Sequence, residues 1–341
     1  MNSNQLAPKF HYSNSREENF SIFKTQALEQ FWDTITESKA LNYRCQNIAY
    51  MHKCHPDNDK VIALITGRSE SYFRYKELIY DLFHEGYDVF CFDHVGQGLS
   101  DRILADEQRG YIDDFHHYVG DLIRTVNDFF ATKQYKQKFA IAHSLGGGIL
   151  AHSILKSPNL FSAAVFCAPM FGINIPLPKG VADNILNLTE KYQVLRESYV
   201  LGGGKWRPLP FSINRVTHSQ VRYEYNIELL QSRPVITTGG PTYHWVREAK
   251  KAAFEIQNKA KEWVLPSLII QAGKEIIVCN SAQENFVKNS RVKPKFIVHD
   301  GAKHELLMEK DEIRVAVLNS IFEFFATYDH ENSDTFITPQ C

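Results

Sequence analysis

The stretch that most constrains the fold is a strand that runs into a serine and turns at once into a helix. Phe139–Ala142 is apolar and reads as a buried strand, Leu145–Lys156 has helical spacing, and only His143 and Ser144 separate them. So tight a turn forces the serine into strained backbone geometry and lifts its hydroxyl above the sheet. The positions two residues to either side must be small, because strand and helix nearly touch there. Ala142 and Gly146 meet that need, and Gly147 follows. Serine and glycine two residues apart are common, and a helix N-cap is the plainer explanation of such a serine taken alone. The strand-to-helix context and the glycine pair instead make Ser144 a candidate nucleophile.

Such a turn belongs in a chain that alternates strands and helices. Apolar runs at Lys60–Thr66, Tyr87–Asp93, Ser162–Ala168, Ser267–Ala272 and Lys295–His299 read as further strands. Helical spacing marks Phe73–His84, Asp113–Ala131, a segment near Ser281–Lys288 and a last helix near Asp311–Ala326. Continuous apolar strands between helices predict an α/β fold with a mostly parallel sheet flanked by helices on both faces. Ligands of such sheets bind beyond the carboxyl ends of the strands. Residues 173–246 break the alternation with six prolines, Gly202–Gly204 and several short helical patterns. This segment is expected to be a helical cap inserted over that carboxyl edge, a lid position. The expected organisation is a core in two parts, 1–172 and 247–328, with the cap at 173–246 between them. A polar arm to about residue 20 and a polar tail at 329–341 flank it.

Composition narrows the partners. The 341 residues carry 38 Lys+Arg against 39 Asp+Glu, a balance that argues against nucleic acid as partner. The cap holds eight basic and five acidic residues, which suits an anionic lipid surface or an ordinary solvated one. No run approaches the roughly 18 apolar residues of a membrane-spanning helix. The polar opening lacks the apolar core of a secretory signal. The six cysteines (Cys45, Cys54, Cys91, Cys167, Cys279, Cys341) form no CxxC and read as buried reduced thiols of a cytoplasmic protein. Asp93–Asp101 (DHVGQGLSD) fails the dinucleotide-loop test because Asp101 stands at the third glycine position. Walker and HExxH motifs are missing, and the Cys/His spacing fits no zinc site, so neither cofactor nor metal is expected.

A serine hydroxyl needs a base to attack an ester at neutral pH. Of the 14 histidines, His304 follows the last strand across a short loop and is positioned to reach Ser144. In a chain ordered serine, acid, histidine, the acid should follow the strand Ser267–Ala272, and Glu275 is the first carboxylate beyond it. Asp300 and Glu305 are rivals, but both lie too close in sequence to His304 to approach it from across the site. The backbone N–H groups of Leu145, directly after the nucleophile, and of Arg68, in the loop Thr66–Ser71, are candidate oxyanion donors.

Together these residues resemble the α/β-hydrolase superfamily, in its monoacylglycerol lipase and lysophospholipase branch. The resemblance runs over about 60–325 through TGRSESYFRY, DHVGQGLS, AHSLGG and GAKHELLME. Thr66 stands where the branch usually has histidine, Ala142 where it usually has glycine, and Glu275 where aspartate is commoner. The segments GKWRPLPFSINRVTHS and GGPTYHWVREA resemble a bacterial lysophospholipase subgroup of the branch. The resemblance implies removal of the acyl chain from lysophosphatidylethanolamine or lysophosphatidylcholine, with acyl transfer to phosphatidylglycerol as a second outcome. It also implies weak, peripheral attachment to the inner membrane and no required protein partner. Arg207, Arg215 and Arg222 in the cap are candidate headgroup contacts, or else ordinary surface charges. Two rival readings stay open: a monoacylglycerol lipase or general carboxylesterase with the same triad, and a lipid-binding protein that keeps the fold without the chemistry.

Overall fold

The computed structural model describes residues 15–328. Eight strands form one sheet: β1 (Thr36–Leu41), β2 (Asn47–Lys53), β3 (Lys60–Ile65), β4 (Asp88–Phe92), β5 (Gln137–His143), β6 (Ala163–Cys167), β7 (Ser267–Ala272) and β8 (Lys295–His299). Their order is β1-β2-β4-β3-β5-β6-β7-β8. The pairs β1–β2 and β2–β4 are antiparallel, and every pair from β4–β3 through β7–β8 is parallel. The helices used below are α1 (Lys76–His84), α2 (Phe115–Phe130), α3 (Leu145–Lys156), α4 (Lys179–Glu190), α5 (Gln193–Arg196), α6 (Gln220–Ser232), α7 (Tyr243–Lys259), α8 (Asn280–Asn289) and α9 (Asp311–Ala326).

Strand periodicity of two divides the core between the sheet's faces. On β3, Val61, Ala63 and Ile65 enter one apolar cluster while Ile62 and Leu64 enter the other. The first cluster lies under α2, α3 and α7 and the second under α1 and α9. Central strands therefore bury both faces, which is why they read as continuous apolar runs. The hairpin β1–β2 gave no such signal, since all six residues of β1 (TESKAL) are exposed at the sheet edge.

The described end of the polar arm, from residue 15, is bound to the core. The Ser15 hydroxyl and the Arg16 and Glu17 amides all donate to Asp311 Oδ2 (2.9, 2.6 and 2.6 Å), and the buried Arg16 pairs with Asp81 at 2.7 Å. The cysteines are not uniformly buried: Cys91 and Cys167 are, but Cys45 is exposed. The rest of the arm and the tail at 329–341 lie outside the described residues.

The chain steps from β3 to β4 on one side of β3, then returns to place β5 on the other. This puts a topological switch between the carboxyl ends of β3 and β5, the place where such sheets hold ligands. Between β6 and β7 the chain leaves the sheet for α4, α5, α6 and α7.

Candidate active site

Ser144 sits directly at the end of β5 with φ 51° and ψ −117°, a left-handed backbone that a side-chain-bearing residue adopts only under constraint. The constraint is the close approach of α3 to the end of β3. A Cβ on Gly146 would lie 2.3 Å from the Ile65 carbonyl oxygen and 2.6 Å from that of Thr66. One on Gly147 would lie 2.6 Å from Pro169 Cβ. Ala142 is fully buried in the core on the strand side, so its methyl is accommodated.

The loops after β7 and β8 are tied to each other. The Gly273 amide donates to the His299 carbonyl (2.9 Å) and the Lys274 amide to that of Ala302 (2.8 Å). That pairing brings Glu275 and His304 together. His304 Nδ1 lies 2.6 Å from Glu275 Oε2, and His304 Nε2 lies 2.9 Å from Ser144 Oγ. The carboxylate then fixes the ring with Nδ1 protonated and leaves Nε2 to accept from the serine. Glu275 Oε1 accepts from the amides of Ile276, Ile277 and Val278 (2.9, 2.7 and 3.2 Å). Burial pushes its pKa up, but these donors and His304 outweigh that and hold it below the usual range. All three side chains are buried.

Behind the histidine lies a charged cluster that the sequence did not announce. His143, next to the nucleophile, turns away from Ser144. Its Nε2 donates to the His304 carbonyl (3.2 Å) and its Nδ1 faces Glu70 Oε1 (3.1 Å). With an acceptor at each nitrogen the ring is doubly protonated. Burial disfavours that charge, yet Glu70 and Glu305 raise its pKa to about 9. Glu70 also accepts from the Gly67 amide and from the Tyr75 hydroxyl (2.5 Å), while Arg74 pairs with Glu305 at 2.8 Å. Glu70, His143 and Glu305 have the residue types of a metal site. The proton on His143 and the neighbouring Arg74 already satisfy these carboxylates. The only sequence signal was position: all lie at or beyond strand ends, but their pairing is non-local.

A cavity of about 540 Å³ opens over Ser144 and His304. Its walls are mostly apolar, with Met170, Ile173, Ile185, Leu186 and Trp245 among them, and Arg68 and Leu145 also face it. As the first residue of α3, Leu145 has no intrahelical partner for its N–H. The Arg68 amide donates no hydrogen bond among the described residues.

The three cap arginines are not brought to this cavity. Arg207 and Arg215 are exposed and do not line it. Arg222 contradicts expectation outright. It is buried in ion pairs with Glu77 (2.7 Å) and Asp311 (2.6 Å), and its Nη1 donates to the Glu309 carbonyl (2.9 Å). Its charge is consumed by carboxylates, which removes it as a headgroup contact.

Fold and site together define an α/β-hydrolase with a serine at the elbow. Residues 56–311 match the family Hydrolase_4, described as serine aminopeptidase, S33, and the chain belongs to that family. It is 37% identical over 317 residues to Lysophospholipase L2 of Escherichia coli (strain K12), covering 91% of this chain and 93% of that one. Probable lysophospholipase L2 of Haemophilus influenzae is 32% identical, with 91% and 98% covered. Among solved structures, a soluble variant of monoglyceride lipase from Saccharomyces cerevisiae shares the fold at a TM-score of 0.67 and 17% identity, with 86% and 97% covered.

Proposed function

We propose that this protein is a serine carboxylic-ester hydrolase that removes the fatty acyl chain from lysophospholipids through an acyl-enzyme. The observation that carries the reading is the hydrogen-bonded line Ser144–His304–Glu275 at the floor of an apolar cavity. The lysophospholipase relatives supply the substrate class.

In this reading His304 takes the Ser144 proton as the hydroxyl attacks the acyl carbonyl. Glu275 keeps the ring oriented and balances the imidazolium charge. The N–H groups of Arg68 and Leu145 hold the oxyanion, each worth roughly a hundredfold or more in rate. His304 then protonates the departing glycerophospho-alcohol. Water resolves the acyl-enzyme, and an alcohol such as phosphatidylglycerol would resolve it by acyl transfer. The apolar walls take the chain, each buried CH₂ contributing about 0.8 kcal/mol relative to water.

The same reading has the enzyme working in the cytoplasm, loosely attached to the inner membrane. No described helix is long and apolar enough to cross a membrane. Support for surface attachment comes from the cap, where Leu201 (95% exposed) stands at the cavity mouth and Val194 (79%) nearby in sequence.

Fatty-acid release from lysophosphatidylethanolamine and monoacylglycerol, side by side, tests the proposal. Preference for the lysophospholipid, lost by several orders of magnitude in Ser144→Ala, is expected. Preference for monoacylglycerol would keep the triad and move the function to that lipase class. Turnover that survived in Ser144→Ala would remove the serine from the mechanism.

A further inference from the structure

We propose that the Arg68 side chain is the anion-binding group of the cavity, and that it takes the phosphodiester of the lysophospholipid whose ester is presented to Ser144. The inference rests on the lysophospholipase reading and assigns the headgroup contact that the cap arginines do not make.

Arg68 lines the same cavity as Ser144 and His304. Unlike Arg74 and Arg222, it has no ion pair to a carboxylate among the described residues. Glu70, two residues away, is engaged by His143, Tyr75 and the Gly67 amide. The Arg68 guanidinium is nevertheless fixed in place. Its Nη1 donates to Ser69 Oγ (2.7 Å) and the Gly239 carbonyl (3.0 Å), and its carbon stands 5.6 Å from the centre of the Trp245 ring. Both bonds use Nη1, so Nε and Nη2 donate to no described residue, and neither is among the sealed-off polar atoms. These two nitrogens form one edge of the fork that takes a phosphate in bidentate fashion. Burial lowers the pKa of this group, as expected of a cation that the protein compensates incompletely.

Connectivity of the substrate fits. The Arg68 amide is a proposed oxyanion donor, so its side chain starts beside the reacting carbonyl. In a 1-acyl lysophospholipid the phosphorus stands six bonds from the ester carbon, and the guanidinium carbon stands five bonds from its own Cα. A monoacylglycerol offers only hydroxyls at that distance.

Arg68→Met and Arg68→Lys should be compared with wild type on lysophosphatidylethanolamine and monoacylglycerol of the same acyl chain. Thermal melts establish that each variant is folded. The readout is the ratio of the two kcat/KM values, because either substitution keeps the backbone N–H. The ratio is expected to fall at least tenfold in Arg68→Met and to recover partly in Arg68→Lys. An equal fall on both substrates overturns the assignment and leaves Arg68 a structural part of its loop. An unchanged ratio with lost inhibition by free fatty acid also overturns it, since the group then holds the product carboxylate. A wild-type enzyme without lysophospholipid turnover defeats the underlying reading, whatever the variants do.

Discussion

Gly146 leaves no room for a single methyl group, and the position of Ser144 depends on that closeness. Two backbone carbonyls, those of Ile65 and Thr66, would stand within 2.6 Å of an added Cβ, and backbone cannot rotate aside. Gly146→Ala should therefore push α3 away from β3, at about 3 kcal/mol, the upper end of overpacking costs. The expected outcome is a melting temperature lower by several degrees and ester turnover reduced at least tenfold. A variant with both unchanged would show that the elbow tolerates the shift. The elbow was legible in the sequence because the residues that signal it, Ala142 to Gly147, are consecutive. Glu275 and His304 were legible for a related reason, since each follows the strand that carries it. Arg222 was not: its partner Glu77 is 145 residues away, and nothing local distinguishes an arginine destined for a buried carboxylate from one facing solvent.

Among the elements, α4 and α5 each expose a large apolar residue on the cap. Leu188 and Val194 are 55% and 79% exposed, and neither lines the cavity. Such a surface fits the plane of a lipid headgroup layer. Introducing both Leu188→Asp and Val194→Asp should weaken co-sedimentation with phosphatidylethanolamine/phosphatidylglycerol vesicles several-fold. Sedimentation that is absent, or untouched by the pair, would remove this surface from the proposed membrane attachment. At this scale the sequence revealed the buried parallel strands and their helices, whose apolar runs are long. It was silent on β1, which buries nothing, and on the helical stretch at 17–32, where a π turn at Lys24–Leu28 breaks the 3.6-residue period.

For the whole molecule, the buried His143–Glu70 pair ties stability to pH. The His143 pKa in the fold is about 9 against an ordinary 6.5, so its contribution is complete below pH 6.5 and is lost as pH climbs through 9. Glu70, held at about 2 against 4.5 by His143 and Arg74 despite burial, contributes fully above pH 4.5 and loses that contribution as pH falls toward 2. The two halves belong to one pair and are not summed. The stability advantage of wild type over His143→Phe, at most about 3 kcal/mol on the histidine side, should be greatest between pH 4.5 and 6.5. It should shrink as pH rises past 9. Urea melts across that range would contradict this if the advantage stayed constant to pH 10.

Arg222 also bears on what can be cut from the chain. It is the cap's contribution to a shared electrostatic keystone. Glu77 comes from α1 and Asp311 from α9, while the guanidinium that reconciles them comes from α6. A deletion of 173–246 would take that cation out of a buried cluster in which Glu77 keeps only its longer pairs to Arg16 and Arg314 (3.5 Å each), and a broken buried pair costs about 3–5 kcal/mol. The segment over the cavity is thus mortised into the base beneath it. A minimal catalytic core made by trimming the roof would lose its footing before it lost its substrate.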